Sequence, residues 1–333
     1  MIPFSLLDLA PVAEGSTPTD AFRNSVEYAQ EAERLGFRRI WYAEHHGMPG
    51  VASSATSVII GHIAAATKTI RVGSGGIMLP NHAPLIIAEQ FGTLNALFPG
   101  RIDLGLGRAP GTDQLTARAL RRDMQADADQ FPQDVQELQH YFRPAERGQK
   151  IRAIPGEGEN VPIWLLGSSL FSAQLAALLG LPYAFAAHFA PDHLEQAFEL
   201  YRTRFRPSEQ LAEPYAMLAV NVIAADTDAA ANRIFTSMLM QFTDMLRDQR
   251  GRVKPPIDDI DQYWDPREKA WVGQRLAYSF VGGPATVQEQ LTATLERHRP
   301  DELMIAGHFY DQQDRLRSLQ IVSEVRDRLA RPQ

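Results

Sequence analysis

Apolar residues in this chain come in two spacings that take turns. Short, nearly unbroken runs read as buried strands: Pro3–Leu9, Arg38–Ala43, Ile70–Leu79, Ile102–Gly107, Val161–Leu166, Pro182–His188, Tyr215–Ala224 and Glu302–Ala306. Between them apolar residues recur every three or four positions, as Phe22, Val26, Ala29 and Ala32 do, and later Leu194, Phe198, Tyr201 and Phe205. That period predicts amphipathic helices. The first has a clear start signal in Thr17-Pro18-Thr19-Asp20, with Thr17 as N-cap, Pro18 at the first helical position and Asp20 reaching back. Gly36 ends it. Further helices are expected over Ser54–Thr67, Leu85–Leu97, Leu170–Leu179, Asp192–Phe205 and Pro284–Arg297, with one ending near Phe142 and a charged one from Asp311.

Each of the eight predicted strands is followed by a helix. Strand and helix repeated this way imply a parallel sheet, and eight units imply a closed (β/α)8 TIM barrel of the α/β class. An open doubly wound sheet is the competing arrangement. No Ser/Gly-rich linker divides the chain, which favours a single barrel domain over 1–333. Residues 108–150 and 251–280 break the rhythm and are expected to be loop insertions near the barrel mouth.

Charge sharpens this picture. The chain has 333 residues and a net charge of −7, which argues against nucleic acid as a partner. It has no cysteine, so disulfides, thiolate metal sites and cysteine nucleophiles are absent. From His45 to Gly100 the only charged residues are Lys68, Arg71 and Glu89, and from Asn160 to Pro191 there are none. The second stretch raises the question of a membrane span, but Gly167-Ser168-Ser169, Gly180-Leu181-Pro182 and His188 interrupt it. A spanning helix needs about 20 residues without such breaks; buried parallel strands explain the stretch better. The N-terminus lacks the basic start of a signal peptide, so a cytoplasmic location is expected.

In a barrel, chemistry sits where strands end. Glu44-His45-His46 follows the second strand; a histidine there supplies acid/base chemistry or caps the strand. Metal binding is not expected, since no second cluster has ligand spacing. The third strand carries Gly73, Gly75 and Gly76, which mark close approach of a flat ligand or a packing need. Arg108 ends the fourth strand and fits a phosphate, or pairs with Asp113. Gly167-Ser168-Ser169, with Ser172, opens a helix: an anion site of free N–H groups and hydroxyls, or plain capping. Arg118, Arg121 and Arg122 among Asp123, Asp127 and Asp129 read as a solvated face, and Trp264, Trp271 and Tyr278 as a packing stripe.

Taken in order, Glu44-His45-His46, Val72–Pro80 with Pro84 and Glu89-Gln90, Gly100–Arg108, Gly167–Ser169 and Phe280–Pro284 resemble the bacterial-luciferase-like flavin monooxygenase family. The likeness spans most of the chain and lies closest to single-chain bacterial members of unassigned substrate. It implies a barrel that binds reduced FMN, which reacts with O2 to a C4a-peroxyflavin and oxidises a small organic substrate. Gly75 and Gly76 match the family's non-proline cis peptide against the flavin ring. Arg108 matches the phosphate-binding arginine, and Ser169 and Ser172 match phosphate-side hydroxyls. His45 matches the acid/base histidine. Gly107 replaces the reactive cysteine of luciferases, which argues against light emission and leaves room over the ring. Ser168 replaces an acidic residue at another flavin contact. The chain has no nucleotide fingerprint of its own, so a separate flavin reductase is the expected transient partner. A deazaflavin-dependent oxidoreductase and a non-catalytic flavin-binding protein are the alternatives. Family dimers imply a homodimer through helices 54–67 and 85–97, whose outer faces are poor in charge.

Overall fold

A computed structural model of the chain describes residues 2–330 apart from 110, 113 and 121–128. Its strands are β1 (Phe4–Asp8), β2 (Arg39–Tyr42), β3 (Arg71–Met78), β4 (Ile102–Gly107), β5 (Ile163–Gly167), β6 (Tyr183–Ala186), β7 (Ala216–Ala224), β8 (Ser279–Gly282) and β9 (Glu302–Ala306). All pairings are parallel, and β1 to β7 join in chain order. The ring closes through β9, which lies between β7 and β1. These eight strands are the eight expected from the sequence, and they form a closed barrel. The ninth, β8, pairs only with the end of β7, from Asn221 to Ala224. Its four residues lie in the Pro- and Trp-rich excursion, too short a run to read as a strand.

The helices follow the predicted rhythm. They are α1 (Pro18–Arg34), α2 (Thr56–Ala66), α3 (Pro84–Leu97), α4 (Gln114–Leu120), α5 (Phe131–Phe142), α6 (Leu170–Leu179), α7 (Leu194–Arg204), α8 (Asp228–Leu246), α9 (Pro266–Arg275), α10 (Pro284–His298) and α11 (Gln312–Leu329). Helix α1 has the foreseen capping box: Thr17 accepts from the Asp20 N–H while Asp20 accepts from the Thr17 N–H. Of the charged residues expected on a solvated face, Arg121, Arg122, Asp123 and Asp127 lie outside the described residues.

Two apolar layers hold the barrel. The outer one joins strands to helices, with Leu6, Ile40, Val72, Leu104, Leu165 and Leu218 among its fully buried members. The inner one fills the lumen with Leu7, Trp41, Trp164, Met217 and Met304. Below these, at the strand starts, lies a buried charge cluster. The Arg39 guanidinium donates to Glu302 at 2.8 and 3.2 Å and to Asp103 at 2.6 Å. It sits 4.8 Å over the Trp164 ring and 5.6 Å over Trp41. Arg71 and the Trp41 indole N–H also donate to Asp103, and Ser5 and Tyr215 donate to Glu302. Removing one member of such a buried pair typically costs about 3–5 kcal/mol, because the other charge is left unmatched.

Tight packing inside a narrow barrel dictates what faces it. A Cβ on Gly73 would lie 2.5 Å from the Asp103 carbonyl and 2.9 Å from the Trp41 indole nitrogen, and one on Gly75 2.6 Å from Leu7. The glycines of β3 are therefore required by lumen packing.

The excursion at 251–280 lies against the loops that follow β1 and β2. Val253 bonds both ways with this edge, its N–H to Val12 and its carbonyl to the Glu14 N–H. A clasp of Lys254, Asp244 and Tyr263, at 2.5–2.7 Å, ties the excursion to α8. The expected aromatic stripe is divided: Trp264 and Trp271 pack beneath α8 and α9, while Tyr278 joins the main core and meets His298 at 2.9 Å. Among the described residues no helix is long and apolar enough to cross a membrane.

Candidate active site

The strand ends bring together the residues that the sequence singled out. Glu44, directly after β2, is 1% exposed and accepts four kinds of donor. These are His46 Nε2 at 2.7 Å, His82 Nε2 at 2.9 Å, Asn81 Nδ2 at 3.1 Å and the Met78 backbone N–H at 2.9 Å. Burial raises the pKa of Glu44, but the bonds from His82 and His46 outweigh it, so the carboxyl titrates below its ordinary value. Glu44 thus welds the loop after β2 to the loop after β3. Of the histidine pair, His46 is taken up by this task.

His45 is left free of Glu44. Its Nδ1 lies 3.3 Å from the Gly111 carbonyl. A carbonyl only accepts, so Nδ1 carries the proton and Nε2 keeps its lone pair. Gly111 has φ +65°, and a Cβ there would lie 2.7 Å from the Glu44 carbonyl. Only glycine suits both demands. Burial lowers the pKa of His45, so the ring is a neutral base at pH 7.

Beside this loop, the Gly75–Gly76 peptide bond is cis, and the register of β3 on β4 shifts between Gly75 and Ile77. A Cβ on Gly107 would lie 2.8 Å from the Met78 sulfur. Met78 thus borders the position that a side chain at 107 would take.

Across the mouth, α6 begins at Leu170 after Ser169, and no side chain caps its first N–H groups. Ser168 and Ser169 are half-buried. Ser172 is buried, and its hydroxyl donates to the Ser169 carbonyl at 3.0 Å, so it would have to rotate to serve an anion. Arg108 is exposed, and its guanidinium stacks 4.3 Å over Phe171, the second residue of α6. No carboxylate among the described residues pairs with it; Asp113 lies outside them. The start of α10 is different. There the Asp228 carboxylate accepts from the Gly283 N–H at 2.6 Å and from Thr286 at 3.1 Å. The start of α10 is thus filled by the chain itself, while that of α6 has no side-chain cap among the described residues.

Two further histidines reach the mouth, His188 after β6 and His308 after β9. His188 has a buried Nδ1 with no hydrogen-bond partner. Burial, and then the charges of His308 and His45, push its pKa down to about 3. His308 Nδ1 meets Gln241 of α8. Burial, and then the Arg315 charge, lower His308 to about 4. No group of three or more metal-ligating side chains gathers among the described residues.

A family model described as luciferase-like monooxygenase matches residues 2–302. The chain belongs to the luciferase-like monooxygenase family. It is 54% identical over 328 residues to a luciferase-like monooxygenase of Escherichia coli K12, covering 98% of each chain. It is 38% identical over 243 residues to N-acetyl-S-alkylcysteine monooxygenase of Bacillus subtilis, 71% of this chain and 72% of that one. The crystal structure of apo-MsnO8 superposes with a TM-score of 0.88 at 35% identity, covering 98% of this chain and 99% of that one. Two more distant barrels share the fold. One is the oxygenating constituent of 3,6-diketocamphane monooxygenase of Pseudomonas putida in complex with FMN, with a TM-score of 0.70, 19% identity and 97% coverage of each chain. The other is an F420-dependent secondary alcohol dehydrogenase, with a TM-score of 0.69, 15% identity, and coverage of 97% and 98%.

In this member of the luciferase-like monooxygenase family the sequence pointed to His45, Arg108, Ser168 and Ser169, which lie after strands around the mouth, and to Ser172 in the first turn of α6. It did not single out Glu44 as the hub, nor His188 and His308. Their positions after the sixth and last barrel strands were the available signal.

The two low-pKa histidines fix a pH dependence. Unfolded, each binds a proton near pH 6.5; folded, only near 3 or 4. The unfolded state therefore holds more protons below pH 6.5, and stability is lost as pH falls from there toward about 3. Urea unfolding at pH 7, 5.5 and 4 should show a steady loss, and His188→Asn should flatten the slope. An unchanged slope in the variant would show that His188 titrates normally.

Proposed function

We propose that this protein is an FMN-dependent monooxygenase that oxidises a small organic substrate with O2, using reduced FMN from a separate reductase. The carrying observation is the uncapped start of α6 beside Arg108, which pairs with no carboxylate among the described residues. Free helix N–H groups and a guanidinium form a berth for a phosphate, and Ser168 and Ser169 add hydroxyl donors. The residues present fit FMN: that berth takes its phosphate, and the cis Gly75–Gly76 segment offers a wall without side chains for the ring. Bound reduced FMN would activate O2, delivering one oxygen atom to the substrate and the other to water.

The chain's own part is proton handling and enclosure. His45 Nε2 is the neutral base at the mouth, with Nδ1 anchored on Gly111 and the loop held by Glu44. The excursion at 251–280 and the turn at Gly111, which bonds to the His45 loop, serve as the cover of the mouth. N-acetyl-S-alkylcysteine monooxygenase supports a thioether as the first substrate to test, a sulfide becoming a sulfoxide.

A second copy of the chain is proposed to cover the outer faces of α2 and α3. Val58, Ile86 and Leu97 are 70%, 45% and 64% exposed there, and Glu89 is the only charged residue in the two helices. Such an apolar face is characteristic of a homodimer interface.

Supplied anaerobically with FMNH2 and N-acetyl-S-methylcysteine, then exposed to air, the protein should form sulfoxide. His45→Ala should lower product by about 10²–10⁴-fold with little change in flavin affinity. Product with F420H2 and none with FMNH2 would favour the deazaflavin alternative; none with either would favour a flavin-binding protein. Arg108→Ala should weaken FMN by about 10–100-fold and riboflavin hardly at all; equal loss of both would remove the phosphate role. Light scattering at micromolar concentration should give a dimer, and Leu97→Asp a monomer; a wild-type monomer would contradict the interface.

A further inference from the structure

Among the described residues, the arginines withdrawn furthest from water are spent on partners. Arg39 pairs with Glu302 and Asp103, Arg71 with Asp103, Arg315 with Asp8, and Arg247 with Glu268. Arg101 and Arg252 donate to backbone carbonyls. Arg250 differs. It is half-buried. Its Nε is buried with no acceptor, and none of its other nitrogens has a partner among the described residues. A guanidinium withdrawn from water in this way lacks its counter-charge.

Its place is fixed by the backbone. The turn after α8 is held by the Gln249 N–H on the Asp244 carbonyl at 2.8 Å. The Gly251 carbonyl packs against Gly50 in the loop after β2, and Val253 is bonded to Val12 and Glu14 beyond β1. Arg250 is thus pinned where the excursion meets the His45 loop, and its charge reaches His45. The carboxylate nearest in sequence to His45, Glu44, is occupied by its own donors. His45, His188 and His308 are all held neutral by burial. Among the described residues, this cation therefore has no anion of the chain to match it.

We infer that Arg250 receives a carboxylate of the substrate. This rests on the monooxygenase reading and names the substrate class it acts on: small acids whose oxidisable atom lies a short chain away from the carboxylate. One guanidinium with Nε and Nη donors side by side fits a planar carboxylate bidentately. A phosphate would draw more than one cation or a helix end, and that combination occurs instead at Arg108 and α6. Arg250 positions the substrate; the proton chemistry remains with His45.

The test compares N-acetyl-S-methylcysteine with its methyl ester, which differ by one charge, by calorimetric titration of the FMN-loaded protein. Wild type should bind the acid at least about tenfold more tightly than the ester. Arg250→Gln should lower the acid to the affinity of the ester and leave ester and FMN binding unchanged. Arg250→Lys, which keeps the charge, should retain part of the preference. Equal binding of acid and ester by wild type, or binding of neither, would overturn the inference. So would a preference that survives in Arg250→Gln, or a loss of FMN rather than acid. Oxygen uptake with a neutral sulfide, measured in parallel, separates the two levels. Turnover without a carboxylate preference removes the role of Arg250 and keeps the monooxygenase, whereas preference without turnover on any sulfide does the reverse.

Discussion

Everything inside this barrel is arranged around one guanidinium. Arg39 enters the lumen from β2 between two indoles and draws Asp103 of β4 and Glu302 of β9 toward itself. Two carboxylates and one guanidinium leave a surplus of negative charge, which Arg71 at the rim offsets by binding Asp103. Ser5 and Tyr215 supply further donors, so members of β1 and the approach to β7 join the same cluster. Such a network is weak evidence for net stability, because desolvation offsets much of its attraction. Its geometric effect is clearer: it ties strands on opposite sides of the ring to a single point. The indoles above it fill the lumen and, with Leu7, Leu166 and the neighbouring backbone of β4, leave β3 room only for glycine. The smooth wall at the mouth is thus a by-product of how the floor is packed.

The barrel was legible because its signals are periodic. Strands buried on both faces lose their charges, and Asn160–Pro191 has none at all. The Thr17–Asp20 capping box could be placed to the residue because capping is a local matter of reach. β8 could not, since it forms by extending β7 beyond the ring, a pairing that no local pattern encodes. The reading of the glycines shows the same limit from another side. Their presence in a strand was visible, but whether a ligand or an indole faces them depends on residues more than thirty positions away. Met78 bordering the position of a side chain at 107 is a second such case.

The mouth shows which part of a site single-sequence reasoning reaches. His45 and Arg108 stand directly after strands and announce themselves. Glu44 was adjacent yet underrated, because its importance lies in four donors arriving from two stretches of chain, His46 and Met78–His82. His188 gains its character from burial and from the charges of His308 and His45, and His308 from burial and from Arg315. Nothing in Ala187-His188-Phe189 foretells a ring held neutral into acid. Properties that arise from the meeting of loops are set by the fold and are absent from the local sequence.

The carboxylate of Asp228 at the start of α10 has a consequence for where an anion can settle. Asp228 is the first residue of α8, and it accepts from the Gly283 N–H and from Thr286 at the start of α10. The positive end of α10 thus already carries a negative charge of the chain, and an anion from solvent is repelled there. The start of α6 has no side-chain cap. A side chain that binds nothing from outside thereby narrows the choice of berth by occupying one in advance.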